Sequence, residues 1–184
     1  MKAIQTGMFA VLSAASLLAA AQPETSLNLP GPGVQQMLLG NWSTKIQYEA
    51  SKEMPRGGTA SGDEKWYPGP GGRSLIEEYR EDGVAGDITG WGVIWWDAQA
   101  KGYHVVWCES TNPNGCAAPS GLAHWEGEQL VLVSEDGANG GKAKFKEVFS
   151  QITSSSFKQT IYLGDASGEL RLLATIYATR TTAH

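Results

Sequence analysis

The chain is poor in the residues from which reactive and metal-dependent sites are usually built, with two cysteines and three histidines in 184 residues. No Gly-x-Ser-x-Gly elbow, His-Glu-x-x-His pair, P-loop or Gly-x-Gly-x-x-Gly turn occurs. The motif-level signs of a serine hydrolase, a zinc protease and a nucleotide site are therefore missing. Basic side chains are also few: 14 Lys and Arg stand against 19 Asp and Glu, a net charge of -5, and they form no stripe. Phosphate backbones are held by clustered Lys and Arg, so no nucleic-acid partner is expected. After the N-terminal segment no apolar run is long enough to cross a bilayer, and no membrane span is expected in the mature chain. Disorder is excluded by the 41% hydrophobic content, and the length suits one domain.

What is present begins with an export signal. Lys2 precedes the apolar stretches Met8–Leu12 and Leu17–Ala21, and Ala19-Ala20-Ala21 before Gln22 fits the small-x-small cleavage pattern. The apolar part runs for about 14 residues, short of the ~20 of a membrane anchor. Residues 1–21 are thus expected to be removed, 22–33 to form a flexible leader, and 34–184 to form the domain of a periplasmic or secreted protein. In an oxidising compartment Cys108 and Cys116, which flank the turn-rich Glu109–Gly115, are expected to form a disulfide. A zinc site from His104, Cys108, Cys116 and His124 is the alternative. On a strand, however, His104 and Cys108 lie about 13 Å apart, whereas zinc ligands lie within ~2.0–2.3 Å of the metal. No metal and no cofactor is expected.

The body of the chain has a period of two. Val34–Leu39 has the spacing of one or two helical turns and Gly40 ends it. Trp42, Thr44, Ile46 and Tyr48 then alternate with Ser43, Lys45, Gln47 and Glu49, as on a half-buried strand. Further strands are expected at 58–67, 73–81, 86–97, 101–109, 121–126, 128–135, 142–152, 155–164 and 168–180, with turns such as Asp82-Gly83, Lys101-Gly102 and Asn139-Gly140-Gly141 separating most of them. About ten short strands in succession predict an all-β, up-and-down antiparallel barrel with a short N-terminal helix; a β-sandwich is the alternative. Lys142, Lys144 and Lys146 must face water, so Phe145, Glu147 and Phe149 face in. By the same alternation Phe157, Gln159, Ile161 and Leu163 share one face, and Leu170, Leu172, Ala174, Ile176 and Ala178 another, with Arg180 at its end. The strand at 86–97 is ambiguous, because Ile88, Ile94 and Trp96 compete with Trp91, Val93 and Trp95.

Gly40-Asn41-Trp42 between the helix and the first strand, with Arg180 on the last strand, resembles the lipocalin-like (calycin) barrels. That resemblance implies that Trp42 closes one end of the barrel and packs against Arg180. Leu39–Trp42, Gly62, Trp66, Gly72–Leu75, Glu78-Tyr79, Gly90-Trp91-Gly92, Trp96-Asp97 and Tyr103–Trp107 look like a group of exported bacterial proteins with a lipocalin-like domain of unknown function. The resemblance brings no established activity.

The inward face suggests a pocket. Glu147 between Phe145 and Phe149 is either a polar anchor in an apolar cavity or a carboxylate paired with Arg180, and burial should raise its pKa. Tyr48, Trp96, Tyr103, Trp107, Phe145, Glu147, Phe149 and Gln159 are the expected lining of a site for a small apolar or amphipathic ligand, with no catalytic residue assigned. Two other functions remain open. One is an enzyme using Glu147 and a histidine as acid and base. The other is an envelope interaction module with a filled barrel, presenting surface tryptophan or the Cys108–Cys116 loop. Glu77-Glu78, Glu126, Glu128 and Glu135-Asp136 read as solvated charge.

Overall fold

Alternation along the chain translates into strands almost segment by segment. A computed structural model describes residues 34–51, 54–118, 121–136, 143–164 and 169–181. Residues 1–33, where a signal and a leader are expected, Lys142 and His184 lie outside the described residues, as do the side chains of Glu135, Asp136 and Lys144. The elements are α1 (Val34–Leu38), β1 (Gly40–Tyr48), β2 (Gly58–Pro68), β3 (Ser74–Gly83), β4 (Ile88–Asp97) and β5 (Gly102–Glu109). They continue with β6 (Cys116–Ala117), β7 (Ala123–Glu126), β8 (Gln129–Asp136), β9 (Ala143–Ser150), β10 (Ser156–Gly164) and β11 (Leu170–Thr181).

Neighbouring strands pair antiparallel in the order β1-β2-β3-β4-β5-β7-β8-β9-β10-β11, and β11 returns to β1 with Asn41 opposite Thr181 and Tyr48 opposite Ala174. The sheet is therefore a closed barrel of ten strands, which leaves no free edge and excludes the sandwich. Two features depart from the expected pattern. The two-residue β6 pairs on β5 outside the circuit, bringing Cys108 opposite Cys116. The join of β5 to β7 is reduced to a single pair, Tyr103 with Ala123.

Register settles which side chains face in. On β4, Ile94 lies opposite Leu75 and Val105, and Trp96 opposite Tyr103, while Trp91 opposes Cys108. Leu75 and Tyr103 are fully buried and Trp91 is 46% exposed. Ile94 and Trp96 thus belong to the lumen, and Trp91, Val93 and Trp95 to the outer wall. Opposed residues on adjacent strands share a face, so pairing decides what alternation alone left ambiguous.

One expected face is wrong in part. The ladder between β10 and β11 slips between Ile161 and Tyr162, so that Ile161 opposes Ala174 but Tyr162 opposes Leu172. The slip is a bulge that leaves Leu173 over, and Leu173 packs with Ile46, Ala174 and Ile176. Leu170 and Leu172 are consequently out of phase with Ala174, Ile176 and Ala178, because one extra residue reverses every side chain beyond it.

The core is concentrated at the helix end. Val34, Met37 and Leu38 of α1 are buried with Trp42, Leu75, Tyr103, Leu130, Phe149 and Phe157. Trp42 Nε1 donates to the Leu38 carbonyl at 2.7 Å, which joins the last turn of α1 to the first strand. Phe157 meets the Trp42 ring edge-on at 4.8 Å. The guanidinium of Arg180 stands 4.0 Å over that ring and donates to the carbonyls of Leu39, Met37 and Ser154. A side chain at Gly40 would run into this guanidinium, and the backbone there has φ +120, so the position requires glycine.

Candidate functional site

The lumen is filled at one end and not at the other. Trp42, Leu75 and Tyr103 at the helix end are 0–1% exposed. Further along, the inward-facing Tyr48, Glu77, Trp107, Phe145, Glu147, Gln159 and Ile161 are only half-buried. A side chain that points into a closed barrel and still keeps accessible surface borders space, even where, as for Phe145, Tyr48 and Ile161, one side of it packs on a core cluster. Of the expected lining, Tyr103 and Phe149 belong to the packed core, and Trp96 meets Tyr103 edge-to-face at 4.9 Å. Tyr48, Trp107, Phe145, Glu147 and Gln159 border the open part.

Five carboxylates face this lumen, of which the sequence pattern singled out Glu147 alone. Strand geometry puts residues two apart on the same face, and three strands use that spacing to set an aromatic donor beside an acid. Trp66 Nε1 donates to Glu64 at 3.2 Å, the Tyr79 hydroxyl to Glu81 at 2.5 Å, and Trp107 Nε1 to Glu109 at 3.0 Å. Glu81 also accepts from the Tyr48 hydroxyl at 2.7 and 2.9 Å. Glu147 accepts from the side-chain amide of Gln159, its neighbour on β10, and Arg180 is not among its partners. Glu77 lies against β4, and its Oε2 stands 3.0 Å from where a Cβ on Gly92 would be. Trp107 lies over the same glycines: a Cβ on Gly90 would come within 2.6 Å of its ring.

Burial governs the charge state of Glu64, Glu77 and Glu147. It pushes Glu147 up to about 6, against the hydrogen bond from Gln159. It pushes Glu64 up to about 7, with Trp66 holding it down and the Glu147 carboxylate adding to the rise. Glu77 is raised well above the ordinary carboxylate range by burial, then by the charges of Glu64 and Glu147. The phenols of Tyr48 and Tyr79 are raised by burial and by donating to Glu81. Carboxylates enclosed together in a poorly solvated space hold protons that water would remove. The expectation that Glu77 is solvated charge is therefore overturned: Leu75, Glu77 and Tyr79 are successive inward positions, and only Glu78 points out.

The histidines lie elsewhere. His104 stacks on Trp95 at 4.9 Å between ring centres and meets Asp97 at 3.1 Å on the outer wall. Three bonds, from the Ala100 amide, His104 and the Gln99 amide in that order, hold the Asp97 carboxyl below its usual range. His124 is exposed beside the Lys101 carbonyl. Neither faces Glu147, so the acid–base pair of Glu147 with one of them does not form. Cys108 and Cys116 are joined in a disulfide on the outer wall, which removes them as zinc ligands. Among the described residues no group of three acidic, histidine or cysteine side chains forms a metal site. The same wall carries an open concavity of about 1040 Å³ that includes Trp91, Tyr67, Arg80 and the disulfide.

No family model matches the chain, and no curated protein matches it in sequence. Solved structures do match in fold. Rv2717c from M. tuberculosis aligns with a TM-score of 0.61 at 15% identity, covering 83% of this chain and 99% of that one. The S-type phycobiliprotein lyase CPES from Guillardia theta aligns at 0.52 and 11% identity, over 79% and 89% of the two chains. A protein of unknown function from the DUF3598 family of Nostoc punctiforme aligns at 0.50 and 15% identity, over 88% of this chain and 53% of that one. At such identities the likeness is one of fold, a lipocalin-like barrel.

Proposed function

We propose that this chain is an exported binding protein that holds a small amphipathic molecule in the open part of its barrel, without catalysing a reaction on it. One observation carries this function. The barrel is plugged by α1 and Trp42 at one end, yet leaves accessible surface on the inward Trp107, Phe145, Glu147 and Gln159. A concave site with aromatic walls and a few converging polar groups is what a small ligand requires. Export is supported by the signal-like residues 1–21 and by the disulfide, a bond that persists in oxidising compartments. The fold is shared with a phycobiliprotein lyase.

Native mass spectrometry of the mature chain, purified without detergent, tests the proposal. A discrete added mass that is lost from both Glu147→Gln and Phe145→Ala supports a lumen ligand. An added mass unchanged in both variants overturns the proposed location. A second function, contact with an envelope component through the outer wall, is favoured by Trp91, which is 46% exposed in the outer concavity. Loss of the added mass in Trp91→Ala, with the lumen variants unaffected, would select it.

A further inference from the structure

We infer that the lumen selects a cationic head group, a protonated organic amine carried on an apolar body; this rests on the lumen being the ligand site. The inward faces of the described strands carry Glu64, Glu77, Glu81, Glu109 and Glu147. Among the described residues the inward-phase cations are Arg180 and Arg171, and Arg180 is held at the helix end by Trp42 and three carbonyls. Beyond the bulge Arg171 opposes Leu163, which opposes Phe145, so it lies at the mouth of the lumen, 71% exposed and 4.0 Å from Glu169, away from the buried acids. A neutral apolar guest would leave these carboxylates without counter-charge, and an anionic one would add to their repulsion.

Two further observations point to a missing partner. Thr44, 1% exposed on the inward face of β1, has a hydroxyl with no hydrogen-bond partner. It lies beside Gly62 and next but one to Trp42, which itself opposes Glu64. Buried hydroxyls are nearly always satisfied, so an orphan on the inward face marks a place for a partner atom. Glu77, in turn, receives no hydrogen bond from any described residue; only burial and the neighbouring carboxylates act on it. An ammonium has three donors and no acceptor, which suits a set of carboxylates and a hydroxyl. A bare metal ion suits them less, since no three of the acids come together as a ligand set.

The lumen carboxyls relieve their mutual repulsion with protons. Glu64 at about 7 and Glu147 at about 6 are partly protonated near neutrality, and an entering ammonium would displace those protons. Among the described residues the titratable groups facing the site are Tyr48 of β1, Glu64 of β2, Glu77, Tyr79 and Glu81 of β3, Tyr103 and Glu109 of β5, and Glu147 of β9, with Arg171 of β11 at the mouth and Arg180 at the far end. Described side chains of β4, β7, β8 and β10 bring no titratable group inward. Amine affinity should therefore rise with pH from 5 to 8, where the acids ionise and an alkylamine is still protonated.

Octylamine, 1-octanol and octanoate are matched probes for the mature chain with its disulfide intact, followed by calorimetry at pH 5 and pH 8. At pH 8 octylamine should bind at least about tenfold more tightly than octanol, with octanoate weaker again, and the margin should shrink about tenfold at pH 5. Glu77→Gln and Glu147→Gln should each reduce the margin, while Glu126→Gln on the exposed face of β7 should leave it intact. Equal binding of octanol or octanoate at pH 8, or a margin indifferent to pH and to both lumen variants, overturns the charge selection while leaving a lumen site standing. Failure of all three probes to bind overturns the lumen site itself.

Discussion

Arg180 stacks its guanidinium over Trp42 at 4.0 Å, directly across the β1–β11 ladder that closes the barrel. The same side chain donates to the carbonyls of Leu39 and Met37, which α1 leaves without partners at its C-terminal end. One residue thus ties the helix, the first strand and the last together. Arg180→Ala should lower stability by about 2–4 kcal/mol, from lost cation–π attraction and orphaned buried carbonyls. Arg180→Lys should recover less than half, because an ammonium lacks the planar fork. Urea midpoints of the three proteins check both statements, and equal stability of the Lys and Arg forms would contradict the role of the fork.

Acid should stabilise this barrel. A carboxyl raised from 4.5 to about 6 at Glu147, or about 7 at Glu64, binds more protons folded than unfolded. The stability it contributes is complete below pH 4.5 and is lost as pH rises through the folded value. Between pH 5 and pH 8 the unfolding free energy should fall by roughly 3 kcal/mol from these groups. Glu147→Gln should flatten part of the slope and raise stability at pH 8. Thermal midpoints across this range provide the check; a midpoint that climbs with pH would show that the carboxylates are not enclosed.

Gly90 and Gly92 should not tolerate side chains equally. At Gly90 a Cβ would be 2.6 Å from the Trp107 ring and 2.9 Å from the Cys108 carbonyl, which is backbone and cannot swing away. At Gly92 the nearest atoms are side-chain atoms of Glu77 and Trp107, at 3.0 and 3.2 Å. Gly90→Ala should cost about 2–3 kcal/mol and Gly92→Ala about half of that, as measured by denaturant melts. The reverse order would mean that Trp107 does not lie against these glycines.

Replacing Cys108 and Cys116 together by alanine should cost about 2–3 kcal/mol by the loop-entropy argument. The lower figure is favoured here, because the loop keeps bonds of its own, Glu109 N to the Gly115 carbonyl at 3.0 Å and Gly115 N to the Asn112 carbonyl at 2.8 Å. Intact mass two hydrogens below the reduced chain confirms the bridge, and the melting difference between the two forms gives its worth.

The strands and most of their faces were legible because water enforces alternation. Lys146 points out, so Phe145, Glu147 and Phe149 point in, and no tertiary information was needed. Glu77 was misread because an adjacent pair of acids looks like surface. The phase of Leu75 and Tyr79 around it held the correct answer, as did the spacing of Glu64 to Trp66 and of Glu109 to Trp107. The slip after Ile161 was invisible for a physical reason: a bulge costs one residue, and Leu172 and Leu173 are both apolar, so nothing in the pattern shows which one is extra. The charge of the lumen was hidden likewise, since it arises from strands that meet only when the barrel closes.

Every ladder of that barrel but two joins strands consecutive in the chain. The exceptions are the single pair between β5 and β7, which skips the small β6, and the long ladder between β1 and β11. Hairpins assemble from nearby residues quickly, whereas bringing the two ends of a domain together carries a loop-closure entropy that nothing local offsets. Folding of this domain should therefore be paced by one event, the docking of the last strand on the first. Trp42 and Arg180 sit at that docking site, so their stacking forms only when the closing step is complete.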